Sequence, residues 1–253
     1  KPYARLEDLR SYQRTNIQKF LTHRLFASNM SLDWTRGVLK MPTRSGKTAT
    51  VTRLIEALDV PTLYIVDRLD SLYQSQEEFQ KWCDLPTGIV GDGTFQPATV
   101  TFAMIQTLDR RLNDSTTLRE LQKEKERNNE KEKYLKQRIG EWKNFLKTIE
   151  CLVIDECHKC DVGNIYHKVA VQCHNARYRI GISATPMMRN DLGDIGLVGD
   201  TGEVVAESTR KELEDAGYVA KARILFFPVT SPVDTKAKFQ TAYKHLVVDN
   251  EGR

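Results

Sequence analysis

Residues 42–48, Pro42-Thr43-Arg44-Ser45-Gly46-Lys47-Thr48, lie between an apolar run, Gly37-Val38-Leu39-Lys40-Met41, and a segment of helical spacing. The helical segment is marked by Val51, Leu54, Ile55 and Leu58 on one face of residues 47–58. A Gly-Lys-Thr placed where a strand turns into a helix restricts the fold more than any other feature of the chain, because that turn belongs to a parallel α/β unit. The backbone N–H groups of such a loop wrap phosphate oxygens, and the N-terminus of the helix adds positive potential. Thr43, Arg44, Ser45 and Gly46 form the wrap. Lys47 is positioned to reach β- and γ-phosphates, and the Thr48 hydroxyl to ligate Mg2+. Two positions depart from GxxxxGK[ST]. Met41 replaces the first glycine, and if Arg44 must adopt φ > 0, weakened or altered nucleotide binding is expected. The competing reading is a chance Gly-Lys-Thr on a surface loop.

A second constellation lies downstream. The apolar run Cys151-Leu152-Val153-Ile154 ends in Asp155-Glu156-Cys157-His158. Carboxylates at the C-terminal end of a central strand stand where α/β sheets bind ligands. Asp155 is expected to hold Mg2+, directly or through water, and Glu156 to orient and deprotonate an attacking water. Alternatively, the two acids cap the next helix, where negative charge is favourable. Their pairing with a phosphate loop favours the catalytic reading.

Further apolar runs at Thr62–Val66, Ile89-Val90, Thr99–Ala103 and Arg179–Ile182 read as strands, and Leu69, Leu72, Tyr73, Phe79 and Trp82 as a helix face. Near-continuous apolar strands separated by helices point to a mainly parallel sheet covered on both faces. Residues 113–147 interrupt this rhythm with a charged stretch. Leu135, Ile139, Trp142, Leu146 and Ile149 then form a one-sided helical stripe. Asn128-Asn129 marks the tip of a helical hairpin, or the whole is one long helix. Its alternating charges fit a solvated hairpin, or an arm that meets DNA phosphates; Trp142 and Phe145 are read as its anchors to the body.

No apolar run approaches the roughly 20 residues that span a bilayer, and no signal peptide is visible after Lys1. The missing initiator methionine reads as a fragment. A net charge of +4 permits a nucleic-acid partner without demanding one. Five irregularly spaced cysteines argue against a disulfide framework and for a reducing, cytoplasmic setting. Cys157-His158-Lys159-Cys160, near His167, Cys173 and His174, has the look of a zinc site, but no matching second CxxC occurs and the acidic box accounts for Cys157 and His158.

Taken in order, the phosphate loop, Asp155-Glu156-Cys157-His158 and Ser183-Ala184-Thr185-Pro186 resemble motifs I, II and III of superfamily 2 helicases. Leu9-Arg10-Ser11-Tyr12-Gln13 resembles the segment that precedes motif I. Residues 184–218 resemble a stretch shared by the XPB-like, type III restriction-subunit and UvsW-like phage recombination helicases. The likeness covers roughly residues 5–225.

The resemblance implies a RecA-like ATP-binding first motor domain over residues 1–220, with 113–147 as its charged insertion. It implies ATP and Mg2+ as cofactors, and Lys47, Asp155 and Glu156 as catalytic residues. Arg10 and Gln13 would contact adenine. Arg68, Gln74, Gln106 and Thr107 would meet nucleic acid, and His158, Ser183 and Thr185 would couple the two sites. Asp67 departs from the proline usual before Arg68, as in restriction-type members. Residues 221–253 read as a linker and the start of a second RecA-like domain that lies beyond this chain. The fragment alone is therefore expected to hydrolyse ATP poorly. The partner implied is DNA, branched or forked, with RNA left open. Two rival functions stand beside the translocase: the motor module of a restriction enzyme, and a nucleotide-gated binding module whose phosphate loop is impaired by Arg44.

Overall fold

The computed structural model describes residues 6–23, 35–113, 129–188, 193–221 and 225. The chain divides into two compact units, Lys1–Val219 and Ala220–Arg253. All that follows concerns the first. The strand, linker and helix expected beyond Lys221 lie outside the described residues, as do residues 114–128 of the charged insertion.

Among the described residues eight strands form one sheet: β1 (Thr35–Lys40), β2 (Thr62–Val66), β3 (Thr87–Gly91), β4 (Thr94–Gln96), β5 (Val100–Met104), β6 (Cys151–Asp155), β7 (Tyr178–Ser183) and β8 (Val204–Glu207). Their order is β4-β3-β5-β2-β6-β7-β1-β8. Every pairing is parallel except β3–β4. That hairpin turns at Asp92-Gly93, both with positive φ (47° and 75°), the backbone that a two-residue hairpin loop requires. The edge strands β4 and β8 were not foreseen as strands from the sequence. They are short, and their half-exposed residues do not make an apolar run.

The helices are α1 (Ser11–Thr22), α2 (Lys47–Leu58), α3 (Leu69–Trp82), α4 (described over 105–113), α5 (Asn129–Thr148), α6 (Ile165–Gln172), α7 (Gly193–Thr201) and α8 (Arg210–Asp215). Alternate strand residues serve opposite faces. Leu39, Tyr64, Val66, Val153 and Ile182 pack with Ile17, Phe20, Leu54 and Phe79 of α1–α3. Val38, Leu63, Ile65, Leu152 and Ile154 pack with Leu108, Trp142, Leu146, Val169 and Leu197 of α4–α7. Both faces are buried, which is why the strands read as unbroken apolar runs rather than alternating ones. Gly181 on β7 allows a close approach: a Cβ there would meet Cys157 Sγ and Val38 Cγ2, each at 2.9 Å.

The described part of the insertion is a docked helix. Leu135, Trp142, Phe145 and Leu146 of α5, with Ile149 just beyond it, are buried. Phe145 meets Phe95 edge-on at 5.9 Å, and Arg111 lies over the Phe95 ring at 4.0 Å. Lys133, Lys136, Lys143 and Lys147 remain exposed on the outer side. Among the described residues, no helix is long and apolar enough to cross a membrane.

Candidate nucleotide site

The strand order brings the C-terminal ends of β6, β7 and β1 side by side, and each carries one motif. After β1 the chain forms the phosphate loop. Met41 N donates to Ser183 O at 3.0 Å, which ties the loop to the end of β7. Gly46 caps α2 with φ 75°, and Thr50 N donates to Gly46 O at 3.1 Å. Ser45 is fully buried and its Oγ donates to Pro42 O at 2.7 Å. Thr43, Arg44 and Gly46 face solvent, and Lys47 and Thr48 are half-buried.

Arg44 has φ 63°. The loop therefore keeps a left-handed residue where the sequence supplies a side chain, at a cost of about 1–2 kcal/mol. Such strain collects at ligand sites, where the surrounding structure enforces it.

The N-terminal turn of α1 straps this loop from outside. Gln13 is buried, and its Nε2 donates to Ser45 O (3.3 Å) and Gly46 O (3.2 Å). Its Oε1 accepts from Arg10 N at 2.9 Å, so both ends of the amide are engaged. Tyr12 OH also donates to Ser45 O. A Cβ on Gly46 would meet Gln13 Nε2 at 2.5 Å and push that amide off the loop carbonyls, while the φ of 75° is what favours glycine there. Arg10 turns away, over the ring of Tyr218 at 5.2 Å, and its Nη1 donates to Tyr218 O at 3.3 Å.

Asp155 ends β6, and Glu156 follows with φ 49°. Asp155 Oδ1 accepts from Glu156 N at 2.9 Å. Burial raises the Asp155 carboxyl above its ordinary range, and the Lys47 ammonium opposes that rise. Lys47 Nζ lies 3.4 Å from Glu156 Oε1. Glu156 precedes the 3-10 turn Cys157–Lys159 but makes no side-chain capping bond to it. The helix-cap reading of the acidic pair is thus not what the geometry uses.

Arg44, Gly46, Lys47, Thr48 and Asp155 line one open cleft of about 350 Å3, whose far wall is Ser71, Gln74, Ser75 and Glu78 of α3. Gln74, grouped from the resemblance with the nucleic-acid residues, is thereby placed beside the phosphate loop. The polar stripe at 71, 74, 75 and 78 is the signal that marks it.

His158 Nδ1 sits 2.9 Å from Ser183 Oγ and 3.2 Å from Glu156 Oε2. Ser183, fully buried, also accepts from Thr185 N at 3.1 Å. The three residues expected to couple the sites are therefore in one chain of contacts. Arg68 and Gln106 meet at Asp67: Gln106 Nε2 donates to Asp67 O at 2.8 Å, and Arg68 Nε is 3.8 Å from Asp67 Oδ2. Thr107 is the next residue along α4 and is half-buried. Lys159 Nζ also pairs with Asp67 Oδ2, a contact no local pattern announces. All five cysteines are free and buried, and no group of three metal-ligating side chains occurs among the described residues.

A phosphate loop after β1, an acidic pair after the neighbouring-but-one strand, and a parallel sheet dressed on both faces define a RecA-like P-loop motor domain. Residues 6–188 match the family described as type III restriction enzyme, res subunit, and the chain belongs to that family. It is 22% identical over 248 residues to the DNA 3′-5′ translocase XPB2 of Sulfurisphaera tokodaii, covering 97% of this chain and 46% of that protein. The chain thus spans about half the length of that curated relative. In fold it resembles the Hef helicase domain of Pyrococcus furiosus (TM-score 0.53, 19% identity, 78% of this chain and 37% of that one). It also resembles the UvsW helicase of bacteriophage T4 (0.50, 17%, 77% and 58%) and a nuclease-deletion mutant of the Type ISP restriction-modification enzyme LlaGI (0.52, 20%, 83% and 20%). Family and fold agree with the resemblance read from motifs I to III: this is a superfamily 2 helicase-type motor domain.

Proposed function

We propose that this chain is the ATP-binding half of a DNA translocase or helicase that acts on branched or forked DNA in replication, recombination or repair. The observation that carries the reading is the Lys47–Glu156 pair, 3.4 Å apart beside the cleft that Thr48 and Asp155 also line. An incoming γ-phosphate competes for Lys47, which releases Glu156 to take a proton from an in-line water. Thr48 and Asp155 offer the hard oxygen donors that suit Mg2+. Mg2+, when bound there, would neutralise charge developing on the phosphoryl oxygens. Thr43, Arg44, Ser45 and Gly46 supply loop N–H groups to the phosphates; Arg10 and Gln13, which the resemblance assigns to adenine, border the loop and would turn to the base only by leaving Tyr218 O and the Ser45 and Gly46 carbonyls.

His158, Ser183 and Thr185 relay between that site and Arg68, Gln106 and Thr107, which receive the strand; Gln74 serves the phosphate side. A second RecA-like domain of the full-length protein supplies the cationic finger that completes the cleft. DNA is favoured over RNA by the name of the curated relative, and a cytoplasmic setting fits the buried free thiols. The family description and the LlaGI likeness favour a second reading, the motor module of a restriction enzyme.

The test is the Glu156→Gln variant of the full-length protein. Turnover should fall by about 10²-fold or more, with ATP·Mg2+ still bound in calorimetric titration. Retained turnover would remove Glu156 from this role. Single-stranded, duplex, forked and RNA cofactors tested on the wild type distinguish the partners.

A further inference from the structure

We propose that Asp67 and Lys159 are positioning residues through which nucleic acid at Arg68 and Gln106 sets the placement of Glu156. This deepens the motor reading and rests on it. Neither residue is used by the chemistry described above.

Asp67 follows β2, which pairs with β6 in a register that ends at Ile65 opposite Ile154. The loops leaving the two strands, 67–68 and 156–159, are therefore neighbours. Across that gap Lys159 Nζ pairs with Asp67 Oδ2, both side chains only partly exposed (36% and 22%). A pair so placed is screened less than one in open solvent.

Each end of the pair is anchored to a different site. On one side, Asp67 O accepts from Gln106 Nε2 at 2.8 Å. The Arg68 side chain, 78% exposed, holds Nε 3.8 Å from the same Oδ2 that Lys159 uses. One carboxylate thus faces two cations, of which only Arg68 projects freely into solvent. On the other side, Lys159 N donates to Glu156 O at 3.0 Å, closing the short turn 157–159. Lys159 O in turn accepts from Asn164 Nδ2 at 2.7 Å, and Asn164 caps α6. A pull on the lysine is a pull on the turn that begins at Glu156.

The chain of charges alternates: phosphate, Arg68, Asp67, Lys159. A backbone phosphate that binds Arg68 replaces Asp67 as its counter-ion, and the whole Asp67 charge then bears on Lys159. Glu156 responds because its own contacts are divided. Oε1 lies 3.4 Å from Lys47, Oε2 lies 3.2 Å from His158, and the residue sits at φ 49°. Each oxygen of one carboxylate is thus held by a different neighbour, and a small displacement of the 156–159 turn would shift the balance between the two contacts.

The experiment measures ATP turnover of the full-length protein with and without DNA, and DNA affinity by fluorescence anisotropy, for wild type, Lys159→Ala, Lys159→Arg and the isosteric Asp67→Asn. For Lys159→Ala and Asp67→Asn, the ratio of stimulated to basal turnover should fall about tenfold, with DNA affinity within about threefold of wild type and thermal melting little changed. Lys159→Arg should restore the ratio, since the guanidinium reaches the same carboxylate. If Lys159→Ala melts early, Asp67→Asn carries the test by itself. A stimulated wild type whose Asp67→Asn variant is stimulated equally overturns this proposal alone. A wild type whose turnover ignores DNA overturns the motor reading and this proposal with it.

Discussion

His158 Nδ1 lies 2.9 Å from Ser183 Oγ, and the same nitrogen lies 3.2 Å from Glu156 Oε2. One ring nitrogen therefore stands between a buried hydroxyl on β7 and the carboxylate proposed as the base. If it carries the proton, it donates toward Glu156; if it does not, it accepts from Ser183. Removing the hydroxyl biases this choice without touching the cleft. Ser183→Ala should leave ATP affinity within about twofold while DNA-stimulated turnover of the full-length protein falls roughly tenfold. Parallel nucleotide titration and steady-state hydrolysis check it, and an equal loss in both would place Ser183 in the binding site instead.

Arg44 occupies φ 63° in the phosphate loop. Glycine tolerates that backbone freely, whereas a β-branched residue tolerates it worst. Arg44→Gly should be neutral to stabilising, by at most about 1 kcal/mol, and Arg44→Val destabilising by roughly 1–2 kcal/mol. Denaturant melts of the three proteins read this directly. Equal stability of the glycine and valine variants would mean that position 44 is not left-handed in solution.

Trp142 anchors α5, with 3% of its surface exposed and its ring 5.6 Å from that of Phe145. Among the described residues its indole N–H has no hydrogen-bond partner, so its contribution is packing. Trp142→Ala should cost about 3–5 kcal/mol in urea unfolding. Lys143→Ala, on the exposed side of the same helix, should change stability by under about 0.5 kcal/mol. A tryptophan variant as stable as wild type would show that the insertion does not dock on the sheet.

Burial pushes the thiols of Cys151 and Cys173 up to about 12. In the unfolded chain a thiol ionises near pH 8.5. Between that pH and about 12 the unfolded state has lost these protons and the folded state has kept them. Stability from these groups is thus complete below pH 8.5 and lost as pH rises toward 12. Native protein at pH 8.5 should resist iodoacetamide at both positions, and urea should expose both. Rapid native labelling of either, read by peptide mass, would contradict their burial.

The candidate nucleotide site was legible because its pattern is local. Gly46-Lys47-Thr48 needs only a strand before it and a helix after it, and Asp155-Glu156 needs only an apolar strand in front. Those patterns survive in one dimension, as do the α5 stripe from Leu135 to Ile149 and the apolar runs of β2 and β6. The edge strands β4 and β8 left too little apolar pattern to be read. The placement of Gln74 on the cleft wall depended on how α3 rotates against α2.

Sequence alone determined which residues are candidates to hold phosphate and metal, and that they lie on a parallel α/β framework, because backbone geometry and hydrophobic period are properties of short segments. Tertiary structure alone decided that Asp67 faces Lys159, that His158 faces Ser183, and that Arg44 takes the left-handed backbone. Each depends on strand order and register, which are set by the packing of both sheet faces at once. The phosphate loop could be read from its own residues; what connects it to the rest of the molecule could not.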